Sequence, residues 1–292
     1  MSQNDARTAT MAPPATPPAA RTPRAGRDLP VATVVGLLML AVVGASLFVR
    51  KEGFLLLAVL AIGAGLWELA QAFARRGIHL PLLPLLVGDV GIMVSAYIAG
   101  PEALFVAFML TAGGVVIWRV LDGNGAPALR DATAGIFAAA YLPFLGGFVM
   151  LLLAMPDGAY RVLLFILLCV ASDTGGYAVG VLIGRHPLAP SVSPKKTWEG
   201  LLGSVVLACV VGVVGLRLMF DGDPVVGVFL GVATVVTATL GDLSESLIKR
   251  DLELKDMGSL LPGHGGLLDR VDSMLLAAPV VYLILNVLQP VV

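Results

Sequence analysis

Long apolar runs, each bounded by charge, glycine or proline, constrain this chain more than any other feature. A helix crossing a bilayer core of about 30 Å needs roughly 20 apolar residues, and only helices or closed barrels can satisfy their backbone there. Nine runs approach that length: 31–49, 54–73, 82–99, 102–118, 132–154, 160–184, 201–219, 224–241 and 274–290. Charged residues make up 13% of the chain and mean hydropathy is +0.92, whereas a soluble domain carries about 25% charge. The expectation is an all-α polytopic membrane protein of about nine transmembrane helices. The links "RKEG" at 50–53 and "GPEA" at 100–103 leave room only for tight turns, so their flanking spans should pair antiparallel.

Residues 1–30 are rich in Pro, Ala, Thr and Arg and cannot assemble a core, which predicts a disordered cytosolic tail before a transmembrane domain over 31–292. The first apolar run is span-length and starts near Val31, so it reads as a retained helix rather than a cleaved signal. Positive charge is retained on the cytoplasmic side. Of 19 Lys and Arg, only Arg50, Lys51, Arg161 and Arg217 fall on one side of the nine-span arrangement, and the rest fall on the other. The N-terminus is therefore predicted cytoplasmic and the C-terminus outside, with the polar loops 185–200 and 242–273 facing the cytosol. Cys169 and Cys209 lie in apolar runs with no CxxC spacing and read as small buried hydrophobes. Trp67, Trp118 and Trp198 near span ends read as an interfacial belt.

Three polar clusters resist the bilayer. Asp173, in "LLCVASDTGGYAVGVLIGR", is the sharpest anomaly in any span, since a carboxylate near a helix centre costs about 2.5–3.5 kcal/mol on insertion scales. Gly176, Gly180 and Gly184 follow at four-residue spacing, a face that admits another helix at close range, and Asp173 shares it. The carboxylate then either lines a polar cavity or has a purely structural role, pairing with an arginine or capping a helix broken at the adjacent glycines. In "SVSPKKTWEGLLGS", Ser193 and Pro194 read as N-cap and first helical residue, placing Lys195 and Lys196 in a first turn. The helix dipole disfavours cations there unless an anion is bound at that terminus; the plainer reading is an anchor with Glu199 paired to Lys195.

The third cluster, "GDLSESLIKRDLELKDMGSLLPGHGGLLDRVDSM" at 241–274, mixes seven carboxylates with basic residues. Asp242 marks the end of the eighth span and Asp269 the start of the ninth, so a hairpin of those helices would bring both to one depth. Two carboxylates among several cations suit Mg²⁺ with phosphates: hard oxygen ligands hold the metal, and Lys and Arg neutralise the remaining phosphate oxygens. Asp269 and Asp272, three apart on a helix, should face the same way. Glycines around His264 allow close backbone approach. His264 itself suits phosphate or substrate contact, loop structure or, least, general acid/base work, and zinc is disfavoured because no second His or Cys lies near it.

The stretch from Ser246 to Asp272, "SLIKRDLELKDMGSLLPGHGGLLDRVD", resembles the signature of the CDP-diacylglycerol synthases, also called phosphatidate cytidylyltransferases. The positions that carry the resemblance are Ser246, Lys249, Arg250, Lys255, Asp256, the 262–266 turn with His264, Asp269, Arg270 and Asp272. "SDTGGYAVG" and "SPKKTWEG" extend it over roughly 165–275, whereas before that stretch the likeness rests on hydropathy and span number only. The resemblance implies transfer of the cytidylyl group of CTP to phosphatidate, with Mg²⁺ as cofactor, CTP and membrane lipid as partners and no nucleic acid. It makes 160–292 the catalytic half of a multi-pass protein of the plasma membrane. It implies metal binding by Asp242 and Asp269 and catalytic roles for both, with Lys249, Arg250, His264 and Arg270. Substrate contacts would come from Asp173, Lys195, Lys196, Ser246, Lys255, Asp256, Gly265, Gly266 and Asp272. Family analogy and the glycine-rich faces also allow a homodimer.

Other readings separate on the residues. A transporter would place ionisable groups near the midplane of several spans, and Asp173 alone is expected there. A CDP-alcohol phosphotransferase needs a DGxxAR-type run, and "DGNGAPALRD" at 122–131 has the wrong spacing. A CTP-dependent lipid kinase would share the basic loops and is separated only by experiment.

Overall fold

The computed structural model describes residues 29–123, 125–254, 256–258, 260 and 266–289, with side chains from Gly36 onward. The remainder, including residues 1–28 of the expected tail, Lys255, His264 and Gly265, lies outside the described residues, and the last two residues expected in the tail, 29 and 30, open α1. The chain is built of helices: α1 (Leu29–Val49), α2 (Lys51–Ala74), α3 (Leu82–Asp122), α4 (Ala126–Ala139), α5 (Leu145–Ala154), α6 (Gly158–Ile183), α7 (Trp198–Phe220), α8 (Pro224–Asp251) and α9 (Leu268–Leu288). A π-helical turn over Ala140–Phe144, containing Pro143, joins α4 to α5. Among the described residues seven helical segments are long and apolar enough to cross a membrane: α2, α3, the continuous Ala126–Ala154 run of α4 and α5, α6, α7, α8 and α9; α1 contributes a shorter apolar stretch, Gly36–Val49.

Both expected tight turns are present, in different forms. Arg50 adopts an extended conformation and separates α1 from α2. Gly100, at φ 85°, breaks α3 just before Pro101. The break reverses the chain: a Cβ at Gly88 would lie 2.2 Å from the Thr111 side chain, although a straight helix would hold those residues about 35 Å apart. The runs 82–99 and 102–118 are thus two antiparallel arms of α3. Positive φ at the turn is what glycine supplies, and proline fits the first turn of the second arm.

The second half of the chain packs α6 on α7, α7 on α8 and α8 on α9, while α5 connects α9 and α6 to the α2–α3 layer. One apolar core runs through both halves, taking in Leu66, Leu85, Leu142, Leu164 and Leu275. The expected glycine face is used inside the chain. Gly176 meets Ser204, and Gly180 meets Thr197 and Gly200 of the adjoining segment. Gly212, Gly227 and Gly231 bring α7 and α8 to backbone contact in the same way. These faces therefore serve packing within one chain, and they lend a homodimer no support.

This closeness has a measurable consequence. A Cβ at Gly203 would sit 2.6 Å from the Gly175 carbonyl oxygen and 2.4 Å from a Val179 methyl group. Gly203→Ala gains up to about 1 kcal/mol of helix propensity, but overpacking of this kind costs about 1–3 kcal/mol. The net effect should be a lower thermal midpoint for the purified protein. A midpoint at or above that of the parent would show that α6 and α7 are not in backbone contact.

Two sequence expectations fail locally. Ser193–Thr197 is a strand, β2, antiparallel to β1 (Pro187–Ala189), with Pro187 opposite Thr197 and Ala189 opposite Ser193. Lys195 and Lys196 therefore lie on a strand and not in the first turn of a helix. The reason is twofold: Ser193 precedes proline and is driven to the extended region, and Thr197 makes the N-cap, its hydroxyl accepting the Gly200 N–H at 3.1 Å. The helix also continues beyond residue 241, since α8 extends to Asp251 and carries Lys249 and Arg250 in its last turn, where the dipole favours cations.

Candidate functional site

Two cavities lie side by side where α6, α7, α8, α9 and the β-hairpin meet. The first, of about 320 Å³, is walled by Asp173, Gly176 and Tyr177 of α6, Leu188 of β1, Lys195 and Lys196 of β2, Gly200 and Ser204 of α7, and Thr239 and Asp242 of α8. The second, of about 230 Å³, is lined by Asp173, Asp242, Lys249, Asp256, Asp269, Arg270, Asp272 and Ser273. Asp173 and Asp242 belong to both, so the two spaces meet at these carboxylates. Asp173 thus lines a polar cavity, the first of the two readings left open for it.

The helix pairing explains the convergence. Gly241 lets α9 approach so closely that a Cβ there would lie 2.6 Å from the Asp272 carbonyl oxygen. Asp242 is consequently level with Asp272, while Lys249, two turns further along α8, reaches Asp269 Oδ1 at 2.9 Å. The same ammonium bonds Glu245 Oε2 at 2.6 Å. Lys196 Nζ pairs with Asp242 Oδ2, and Ser246 Oγ donates to Asp242 Oδ1 at 3.4 Å. Asp269 Oδ2 accepts the N–H groups of Met257 at 3.1 Å and Gly266 at 3.2 Å, so this carboxylate also gathers the α8–α9 loop. Gly266 is required bare, since a Cβ would lie 2.7 Å from Asp269 Oδ2.

Of the expected site residues, Asp173, Lys195, Lys196, Asp242, Lys249, Asp256, Asp269, Arg270 and Asp272 line one or both cavities. Ser246 and Gly266 stand just behind that wall, through their bonds to Asp242 and Asp269. Arg250 does not join it: its Nε donates to the Val192 carbonyl, fastening the β-hairpin to α8. Nor does Glu199 pair with Lys195; it accepts the N–H groups of Arg185 at 3.1 Å and His186 at 3.2 Å and faces the His186 ring.

Several ionisable side chains are buried against expectation, among them Glu245 of the third polar cluster and Arg161. Glu68 on α2, Asp89 on α3, Asp131 on α4, Arg161 on α6 and Glu245 on α8 are almost wholly buried. The expectation that Asp173 alone is ionisable inside the spans is thereby corrected. Glu68 and Asp89 lie within apolar runs, where the cost of burying charge singles them out as surely as it did Asp173. Glu245, bonded to Lys249, faces the acidic wall from behind.

The donor chemistry of the second cavity suits a divalent cation. Five aspartates line it against two cations, Lys249 and Arg270. Among the described residues no three Asp, Glu, His or Cys side chains already converge as a metal cage. Mg²⁺ needs no such cage, because it is held through one or two carboxylates, water and the phosphates of its nucleotide.

Residues 30–288 match the Cytidylyltransferase family. The chain is 40% identical over 282 residues to a phosphatidate cytidylyltransferase of Mycobacterium leprae, covering 91% of this chain and 90% of that protein. A phosphatidate cytidylyltransferase of Mycobacterium tuberculosis is 38% identical over 288 residues, 93% of this chain and 86% of the relative. One from Synechocystis is 33% identical over 259 residues, 80% of this chain and 88% of the relative.

Proposed function

The chain belongs to the Cytidylyltransferase family, and we propose that it moves the cytidylyl group of CTP onto phosphatidate, yielding CDP-diacylglycerol and pyrophosphate. In this reading the reaction runs at a Mg²⁺-dependent site on the cytoplasmic side of the plasma membrane, which the positive-inside distribution of Lys and Arg and the acidic lining of the second cavity support. The observation that carries this reading is the meeting of the two cavities at Asp173 and Asp242. One is bordered by lysines together with Leu188, Leu201 and Tyr177, a wall suited to a phosphate with an apolar body. The other is acidic, with Lys249 and Arg270 beside the carboxylates, a wall suited to a metal-bound triphosphate.

In the reaction a phosphatidate oxygen attacks the α-phosphorus of CTP; the new oxygen–phosphorus bond forms as the bond to the α–β bridging oxygen breaks, and pyrophosphate leaves. The nucleophile is already ionised at neutral pH, so no triad or strong base is required. The barrier lies in bringing two polyanions together and in charge accumulating on the leaving group, which positioning and fixed cations lower. Lys195 and Lys196 serve the first cavity; Lys249 and Arg270 serve the second. Asp242 and Asp269 would hold Mg²⁺, which when bound neutralises phosphate oxygens. Lys196 and Lys249 are the present counter-ions of those two carboxylates; a cation bound by Asp242 would release the Lys196 ammonium toward phosphate, whereas Lys249 keeps its bond to the buried Glu245.

Incorporation of label from CTP into lipid tests the reaction. Cytidylyl transfer labels lipid from the α position only, whereas a CTP-dependent lipid kinase labels it from the γ position only; γ labelling overturns the proposal.

Counting the arms of α3 separately and adding α1 gives nine crossings, with the N-terminus inside and the C-terminus outside. The distribution of Lys and Arg supports this arrangement. A reporter active only outside the membrane, fused to the C-terminus, should be active; an inactive fusion would overturn the count.

A further inference from the structure

We propose that Glu68 is a positioning residue for the reaction, acting from the first half of the chain through the loop that carries Asp269; this rests on the cytidylyltransferase reading. Glu68 sits on α2 with 1% of its surface exposed. Each carboxylate oxygen has its own partner across the sequence: Oε1 accepts the Leu260 N–H at 3.4 Å and Oε2 accepts the Leu268 N–H at 3.0 Å. Leu268 opens α9, where free N–H groups and the helix dipole favour a carboxylate. The next residue is Asp269.

The loop is shaped to receive this side chain. A Cβ at Gly258 would lie 2.1 Å from Glu68 Oε1, and one at Gly266 would lie 3.0 Å from Oε2. Glu68 thus occupies the space that side chains at 258 and 266 would fill. Asp269 holds the same two stretches through the N–H groups of Met257 and Gly266, and a Cβ at Gly266 would meet both carboxylates, Asp269 Oδ2 at 2.7 Å and Glu68 Oε2 at 3.0 Å. The two carboxylates form a clamp in which one jaw belongs to the proposed metal site and the other to α2. Leu252 and Met257, at either end of the segment between α8 and Gly258, are buried, and Arg76, just past the end of α2, pairs with Glu253 at 2.8 Å. Nothing about Glu68 calls for contact with substrate. Its chemistry is to fix the backbone on which Asp269 and Arg270 stand.

Gln at 68 preserves volume but offers one acceptor oxygen and turns an NH₂ group toward an N–H donor. Ala removes both acceptors. Misplacement of catalytic groups by about 1 Å can cost about 10²-fold in rate. In the full-length protein in lipid nanodiscs, Glu68→Gln should therefore lower kcat roughly 10-fold and Glu68→Ala about 100-fold. KM for phosphatidate should stay unchanged. Hydrogen exchange should quicken at the amides of Met257, Gly258, Leu260, Gly266 and Leu268 and nowhere else. Gly258→Ala should give the same kinetic split in the parent background and add little in the Glu68→Ala background, where its methyl group has room. It also serves as the test should Glu68→Ala fail to fold. Parent-like kcat in both Glu68→Gln and Gly258→Ala, or exchange raised evenly over the whole chain, overturns the proposal. A parent protein that does not label lipid from α-labelled CTP defeats the reaction instead, and the exchange pattern still reports on the clamp.

Discussion

Asp242→Asn is expected to reduce transfer from α-labelled CTP to lipid by about 10³-fold, the scale on which losing a fixed electrostatic group at a developing charge is felt, without unfolding the chain. Asp242 lies where the two cavities meet, pairs with Lys196 and accepts from Ser246. Asn keeps its size and one acceptor but carries no charge, so it neither holds a divalent cation as a carboxylate does nor balances Lys196. Asp269→Asn should be equally inactive for two reasons at once. Asp269 Oδ2 gathers the Met257 and Gly266 N–H groups while Oδ1 holds Lys249; an amide cannot do both, so the loop loosens as the metal ligand is lost. The pair of variants therefore separates chemistry from loop order. Asp242→Asn should leave hydrogen exchange of the loop unchanged, and Asp269→Asn should quicken it. Full activity in either variant sinks the metal assignment.

Features governed by local sequence were readable without a structure. Apolar run lengths marked the helices, and Gly100 followed by Pro101 marked a turn. The four-residue glycine spacing after Asp173 marked the face that α7 covers. Asp242, Asp269 and Asp272 were found because carboxylates at span ends share a depth when the helices form a hairpin. What stayed hidden depends on distant partners. Lys195 and Lys196 follow a Ser-Pro pair that also fits a helix start; only the Thr197 cap and the pairing with Pro187–Ala189 decide for a strand. Arg250 stands among residues that line the cavities, yet its donor finds Val192, 58 residues away. Glu68 is the instructive miss. Its burial cost was visible in an apolar run, but its partners lie 192 and 200 residues away. The motifs that carry the resemblance lie within 165–275 and direct attention away from α2, although the family match runs over 30–288.

Arg161→Met should destabilise the protein severely while leaving the activity of each folded molecule close to the parent value. Arg161 is 1% exposed and has no access to the cavities. Its Nε bonds Asp157 Oδ1 at 2.7 Å, and its two terminal nitrogens donate to the carbonyls of Leu285 at 2.8 Å and Gln289 at 2.7 Å. The guanidinium also lies over the Phe220 ring at 5.5 Å. One side chain thus ties the start of α6 to the end of α9 and to the end of α7. Met fills much of the same volume, so the expected loss is that of breaking a buried charge pair and orphaning two carbonyls, about 3–5 kcal/mol. In a chain of this size that lowers the thermal midpoint by on the order of 10 °C. Lys should rescue only part of it, because one ammonium cannot reproduce a planar fork directed at three acceptors. Asp269 lies sixteen residues before Leu285 on the same helix, about 24 Å along the axis. Loosening the far end should therefore cost stability before it disturbs the carboxylates. Thermal unfolding of Arg161→Met and Arg161→Lys beside specific activity measured well below the midpoint would check both halves. An unchanged midpoint would show that the clasp carries no weight, and a stable but inactive Arg161→Met would place Arg161 in the chemistry instead.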